Sequence, residues 1–356
     1  MVKNIFMVVK NISSVGGINR VVSNLCYLLA KDYKITIISC TTLEESPAFE
    51  MPIGVCLIHF KKLYPDFCTK SFLDKLKFSY RFNKLLPKDS QNFVIVHQLL
   101  FPFFKAKNTT YIRLYHGNFE TGFKKYLHKP PLLPPRIRLF DILIILSAKQ
   151  IHLFSKLHPN VKVIPNFLND LPNTTTNHTQ KVVLSVGRFS EEKGFLRLID
   201  IWFTVSKNPH LKEWKLHLVG DGELKERIVA KIHSLGLEDS IIPKPFTKNI
   251  QEEYLQASIY ALSSHYEAFP MVLLESGSYA LPSVSFDVPN GPSEIIQEKS
   301  GFLIPDKNLQ GFALKLQLLM ENTHLRKRLG EGAREIVLER FSKKAIKPKW
   351  QEALNI

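Results

Sequence analysis

Arg188 and Lys193 stand with four residues between them in Gly187-Arg-Phe-Ser-Glu-Glu-Lys-Gly194, directly after the apolar run Lys181-Val-Val-Leu-Ser-Val. Ligands of open α/β sheets lie at the carboxyl ends of the strands, so a strand followed by this loop marks a place to look. Two fixed cations beside the first amides of a helix offer a diphosphate both charge and N–H donors. The same side chains could instead pair with Glu191 and Glu192 in a solvated loop. After the apolar run Ile259–Ser263 comes Ser264-His-Tyr-Glu267-Ala-Phe-Pro-Met-Val-Leu-Leu-Glu275. This spacing predicts Glu267 on a tight turn and Glu275 about two turns into a helix buried through Leu273 and Leu274. Carboxylates there can accept hydrogen bonds from the vicinal hydroxyls of a ribose or hexose. The competing reading is an acid favoured by a helix N-terminus plus a surface Glu.

The elements that must hold these residues alternate regularly. Ile5–Val9 precedes a Ser/Gly loop with Gly16 and Gly17, a helical pattern through Val21, Val22, Leu25, Leu28 and Leu29, and the apolar stretch Tyr33–Ser39. Strand, glycine loop, helix, strand is a βαβ unit. Further short apolar runs at 55–59, 93–97, 110–115, 141–146 and 161–164 continue a parallel sheet covered on both faces. The polar stretch Asn166–Gln180 reads as a linker, after which a second series begins with 181–187, 214–220, 241–242, 259–263 and 282–286. The expected organisation is an N-terminal Rossmann-like domain over 1–166, a linker over 167–180, a second Rossmann-like domain over 181–335 and a helical tail over 336–356 that can pack back on the first domain.

A chain of 356 residues is long enough for two cores, and 45% hydrophobic with 22% charged residues is an ordinary globular balance. The net charge of +16 is unevenly placed: residues 1–170 hold 24 basic and 10 acidic side chains, leaving +2 for the rest. Something anionic is expected to meet the first half. Cys26, Cys40, Cys56 and Cys68 lack zinc-ligand spacing and read as reduced core thiols. Met1–Lys10 lacks the features of a secretory signal and no run is long enough for a membrane span, so the reading is a cytoplasmic protein.

Taken together, Gly16-Gly17, Ser185-Val-Gly-Arg188 with Lys193-Gly194, Gly220-Asp-Gly222 and the Ser263–Glu275 block resemble glycosyltransferase family 4, the retaining enzymes of GT-B fold, over nearly the whole chain. Ser285-Phe-Asp-Val-Pro-Asn-Gly-Pro-Ser-Glu294 looks like the subset that builds bacterial surface glycans, often from UDP-sugars. The resemblance implies two Rossmann-like domains facing across a cleft and transfer of a hexose or N-acetylhexosamine to a lipid-linked, lipopolysaccharide or capsule saccharide. It implies that Glu275 holds the ribose diol, and that Glu267 with the backbone of Phe269, Pro270 and Met271 holds the donor hexose. Arg188 and Lys193 would bind the diphosphate, His116 would lie against the donor sugar, and Gly16 and Gly17 would let their loop approach donor phosphate and acceptor. His97 is a weaker match. Ala268 replaces a commoner Gly and His265 a frequent Arg, which bears on the identity of nucleotide and hexose. No Asp-x-Asp pair occurs, so no catalytic metal and no cofactor are expected beyond the nucleotide-sugar co-substrate.

Two basic, aromatic-rich stretches, Lys70–Lys88 and the region of Lys124, Lys125, His128, Lys129, Arg136 and Arg138, suit an anionic membrane surface. That points to a peripheral protein on the inner face of the cytoplasmic membrane; the alternative makes Phe72, Leu76 and Tyr80 core residues. Other readings are a nicotinamide-dependent oxidoreductase, disfavoured by Ser13-Ser-Val-Gly-Gly-Ile-Asn-Arg20 in place of Gly-x-Gly-x-x-Gly, a sugar-nucleotide epimerase of the same fold, and a basic nucleic-acid- or membrane-binding protein without transferase activity. No nucleic-acid-binding motif accompanies the charge, so nucleic acid is not expected as a partner.

Overall fold

The computed structural model describes residues 3–68, 71–98, 102–117, 119, 137–247 and 249–355. They form two compact units, one of residues 1–169 with 346–356 and one of residues 170–345. In the first unit the strands are β1 (Lys3–Val9), β2 (Lys34–Ser39), β3 (Cys56–His59), β4 (Gln91–Val96), β5 (Thr109–Tyr115), β6 (Ile142–Ile145) and β7 (Val161–Val163). All pairings are parallel, in the order β3-β2-β1-β4-β5-β6-β7. A parallel strand covered on both faces has no polar side to alternate with, which explains the unbroken apolar runs. Helix α1 (Gly17–Leu29) covers the sheet with Val21, Val22, Leu25, Cys26, Leu28 and Leu29, all buried.

Helix α2 (Phe72–Asn83) starts at a capping box in which Ser71 Oγ accepts from the Asp74 amide at 3.0 Å and Asp74 accepts from the Ser71 amide at 2.9 Å. Its inward face is Phe78, Ser79 and Phe82, and the two rings join Phe6, Phe60, Val94, Val96 and Tyr111 in one apolar cluster. Because those rings fill the core, Phe72, Leu73 and Tyr80 point outward and are 54%, 66% and 56% exposed. The core reading of Phe72 and Tyr80 is therefore not what the fold adopts. The cysteines also divide: Cys26 and Cys40 are buried free thiols, Cys68 is half-buried, and Cys56 is exposed because β3 is an edge strand.

In the second unit β8 (Val182–Val186), β9 (Lys215–Val219), β10 (Ile241–Lys244), β11 (Ile259–Leu262), β12 (Ser283–Asp287) and β13 (Gly301–Pro305) form a parallel sheet in the order β10-β9-β8-β11-β12-β13. Its longer helices are α3 (Phe195–Ser206), α4 (Lys225–Ser234), α5 (Ile250–Leu255), α6 (Met271–Ser278), α7 (Leu309–Glu321) and α8 (Thr323–Arg340). The cluster around Trp202 joins α3, α4 and α7 to the sheet. Burying a large side chain of this kind is worth about 1.5–3 kcal/mol. Residues 170–180 are not a free tether. Thr176 and His178 are buried, and Thr176 bonds the backbone of Tyr279 and Ala257.

Helix α9 (Lys343–Leu354) begins in the second unit, and its residues from Ile346 onward belong to the first. There Trp350 and Leu354 are buried, Lys347 pairs with Asp32 at 2.9 Å, and Glu352 pairs with Lys162 at 3.1 Å.

Both sheets have a topological switch, between β1 and β4 in the first and between β8 and β11 in the second. The loops that leave these four strands carry Gly16 and Gly17, His97, Arg188 with Lys193, and Glu267, while His116 follows β5, next to β4 in the first sheet.

Candidate functional site

In the second unit the loops after β8 and β11 are laced together. Gly194 has φ +65°, and a Cβ there would collide with the Ser263 carbonyl oxygen and lie 3.0 Å from Arg197 Nε. Only glycine lets the first loop press so closely on the second. Ser263 Oγ donates back to the Gly194 carbonyl at 3.0 Å, and the His265 amide donates to the Glu192 carbonyl at 2.8 Å. Arg197, nearly buried on α3, donates to the carbonyls of Ser263 and Ser264, pairs with Asp306 at 2.7 Å and lies over the Phe286 ring.

This lacing sets Lys193 Nζ 2.8 Å from Glu267 Oε1 and 3.3 Å from Glu192 Oε1. Burial alone would push the Lys193 ammonium down; Glu267 first, then Glu192, outweigh it and hold it above its ordinary value. Lys193 is therefore charged throughout the physiological range, and an ammonium has three donors. Glu267 is 6% exposed, and its Oε1 also accepts from Ser264 Oγ at 2.7 Å. Its Oε2 has no hydrogen-bond partner among the described residues. One oxygen is thus anchored by the protein and the other is left to accept from something else. The alternative pairing of the loop is only partly realised: Glu192 meets Lys193, Glu191 pairs with Arg227 at 2.6 Å, and Arg188 is exposed, its guanidinium making no hydrogen bond or ion pair among the described residues.

Glu275 lies on α6, about one turn from its start rather than the two expected. Tyr254 on α5 donates its hydroxyl to Glu275 Oε2 at 3.0 Å. The Tyr254 ring is buried and stacks on Tyr279 at 5.2 Å. Burial, and then the Glu275 carboxylate, push the phenol well above its ordinary value, so it remains a donor. At the N-terminus of α6, Phe269 and Met271 are buried and supply amides, whereas Pro270 has no N–H to offer. Gly291, at φ +89°, lets the next loop pack on Pro270 and Ala268.

In the first unit Asn11 organises the loop after β1, its Oδ1 accepting from the Ser13 amide at 2.8 Å, while Asn19 donates to the carbonyls of Asn11 and Ser14, both at 2.7 Å. A Cβ on Gly16 or Gly17 would meet nothing within 4 Å, and the φ of Gly16, 169°, is open to any residue. The protein's own packing does not require glycine at either position. His97, after β4, and His116, after β5, meet through Nδ1 and Nε2 at 2.8 Å. Burial, then the Arg113 cation, push His116 down to about 3; burial, then His116 and Arg113, hold His97 well below its ordinary value.

Tyr254, Ser264, Arg197 and Asn19 escaped the sequence reading. Ser264 stood inside the quoted block; Tyr254 lies 21 residues from its partner with no motif to mark it. Of the second basic stretch, Lys124, Lys125, His128, Lys129 and Arg136 lie outside the described residues; Arg138 donates to the Leu157 carbonyl at 3.1 Å. Among the described residues no group of three His, Cys, Asp or Glu is placed to hold a metal, and no helix is long and apolar enough to cross a membrane.

Residues 167–336 match the family model of the glycosyl transferases group 1. An amylovoran biosynthesis glycosyltransferase of Erwinia amylovora is 38% identical over 176 residues, which are 49% of this chain and 48% of that one, so the match spans about half of each. A glycosyltransferase of Haemophilus influenzae, itself uncharacterised, is 28% identical across 99% of this chain and all of its own. Among solved structures, a mutant of TarM from S. aureus, crystallised with Fondaparinux, alpha-GlcNAc-glycerol and UDP, superposes with a TM-score of 0.80 at 18% identity, covering 100% of both chains. Residues 167–336 therefore belong to the group 1 glycosyl transferases, within a chain of GT-B fold built from two parallel-sheet, Rossmann-like units.

Proposed function

We propose that this chain is a retaining glycosyltransferase that moves a hexose or N-acetylhexosamine from a UDP-sugar to a lipid-linked, lipopolysaccharide or capsule saccharide. The observation that carries the reading is the Lys193–Glu267 contact at the β8/β11 switch, with Glu267 Oε2 still open. In this reading Glu267 Oε2 accepts from a donor-sugar hydroxyl, and the Phe269 and Met271 amides bind on the same side. The third N–H of Lys193 and the guanidinium of Arg188 hold the diphosphate, and Glu275, oriented by Tyr254, takes the ribose diol. As the bond from the anomeric carbon to the phosphate oxygen breaks, negative charge gathers on the diphosphate, where preorganised cations stabilise it most. The acceptor oxygen bonds to that carbon on the same face, and its proton passes to the departing phosphate. His116 lies against the sugar, and the space beside Gly16 and Gly17 admits ligand atoms. UDP in the related TarM crystal supports the choice of nucleotide.

Thermal melting with UDP, GDP, ADP and NAD in turn tests the nucleotide site. UDP at about 100 times its dissociation constant is expected to add ~2.7 kcal/mol to the folded state, with smaller shifts for the others. A folded protein that none of the four stabilises would refute the diphosphate site. The anomeric configuration of the product then separates retention from inversion.

The acceptor side of the proposal rests on α2. Its outward Phe72, Leu73 and Tyr80, with exposed Lys77 and Lys84, form an apolar and cationic face near exposed Phe104, Lys105 and Lys107. Apolar rings among lysines suit insertion at an anionic lipid surface. Flotation with anionic vesicles is expected to capture the protein, and replacing both Lys77 and Lys84 with Ser to cost about 2 kcal/mol, or roughly 30-fold in partitioning. Equal binding to neutral vesicles would rule out the electrostatic part of this docking.

A further inference from the structure

The contact between His97 and His116 has a definite geometry. Nδ1 of one ring and Nε2 of the other are 2.8 Å apart, while the ring planes differ by 14° and the centroids are 5.1 Å apart. Nitrogens so close with centroids so far apart mean that the rings meet edge to edge in nearly one plane. This is an in-plane hydrogen bond rather than a stack of faces, and it needs one proton between the two nitrogens. Both imidazoles are neutral at physiological pH, since burial and the Arg113 cation disfavour charge on either.

Two arrangements then remain. If His116 donates from Nε2, His97 must carry its own proton on Nε2. That atom is buried in a residue 1% exposed and has no hydrogen-bond partner among the described residues. The N–H would be an orphaned donor, in a ring where the Arg113 cation, which donates to the Val96 carbonyl at 3.4 Å, already disfavours further positive charge. If His97 donates from Nδ1, its Nε2 is a bare lone pair, which a buried site tolerates better than an orphaned N–H.

We infer that His97 is a positioning residue: it donates from Nδ1 to His116 Nε2, and so fixes His116 as the Nδ1–H tautomer. The ring edge of His116 turned away from His97 is then a hydrogen-bond donor, suited to an oxygen of the transferred sugar or its phosphate and unsuited to accepting from a hydroxyl. The catalytic consequence rests on the proposed placement of His116 against the donor sugar; the tautomer does not.

The two parts are tested separately. Long-range 1H–15N NMR of the full-length protein labelled at histidine, with His116 assigned from a His116→Gln spectrum, is expected to show a protonated Nδ1 and a bare Nε2 without any ligand. A protonated Nε2 overturns the inference whatever the protein's activity. His97→Asn, whose amide can still donate, is expected to keep the Nδ1–H form. His97→Asp, an acceptor only, is expected to reverse it and to lower kcat/KM for the UDP-sugar about tenfold, as loss of one substrate hydrogen bond implies. His97→Asn should lose less, and UDP should stabilise both variants as it does the parent. A reversed tautomer in His97→Asp with undiminished transfer would remove the positioning role. An unchanged tautomer there would show that His97 does not control it.

Discussion

Replacing Lys193 with alanine is expected to lower turnover by about 10²–10³, the range for removing one preorganised donor from developing negative charge. UDP affinity should fall much less, because in the proposed assignment Arg188 and the Glu275 contact to ribose remain. The variant carries a second effect. Glu267 is almost buried, and its Oε1 would keep only Ser264 as a donor. Breaking a buried pair by removing one partner costs about 3–5 kcal/mol, and less here because the Lys193 side chain is 26% exposed. The double variant Lys193→Ala/Glu267→Gln separates the two, since a neutral amide no longer needs the cation: it should recover melting temperature without recovering turnover. Glu275→Ala is expected to do the reverse of Lys193→Ala, weakening UDP binding with a smaller loss of turnover. Calorimetric UDP affinity and single-turnover rates on all three variants check the assignment; equal losses of both quantities in Lys193→Ala and Glu275→Ala would mean that the roles are wrong.

Gly194→Ala is expected to damage both the fold and the site although it adds a single methyl group. At φ +65° an alanine is strained by about 1–2 kcal/mol, and its methyl group would have to displace the Ser263 carbonyl or Arg197. Together these predict a loss of about 2–4 kcal/mol, or roughly 5–12 °C in the melting temperature of a unit this size. Gly236 supplies the control, because it has a similar φ of +63° and nothing within 4 Å of a Cβ. Gly236→Ala should bear only the backbone strain. If the two variants melt together, the close approach of the loops after β8 and β11 is not what Gly194 is for. Gly194→Ala should also lose transfer at temperatures where it is still folded, because it moves Lys193 relative to Glu267.

Most strands were legible because each parallel strand is covered on both faces and so reads as an apolar run. β13 was not: Gly301–Pro305 lies at the edge of its sheet, is only partly buried, and is bracketed by a glycine and a proline that read as loop. The linker reading of 166–180 rested on polarity, yet Thr176 and His178 are buried because backbone carbonyls and Arg326 receive this stretch. For α2 the pattern allowed either face to be the core. Phe78 and Phe82 took that place by joining Phe6 and Phe60, and only this packing turns Phe72 and Tyr80 outward.

The same division holds at the site. Residue types and spacing by themselves determined that cations and carboxylates follow strands, and in a parallel sheet every such position falls at the same carboxyl edge. Which polar atoms the protein then consumes was decided by tertiary structure alone. Lys193 and Glu267 are 74 positions apart, and their contact depends on β8 and β11 being neighbours and on the glycine that lets their loops touch. Tyr254 on Glu275 and His97 on His116 are contacts of the same kind, made across elements whose relative placement is a property of the packed sheet and not of any local pattern.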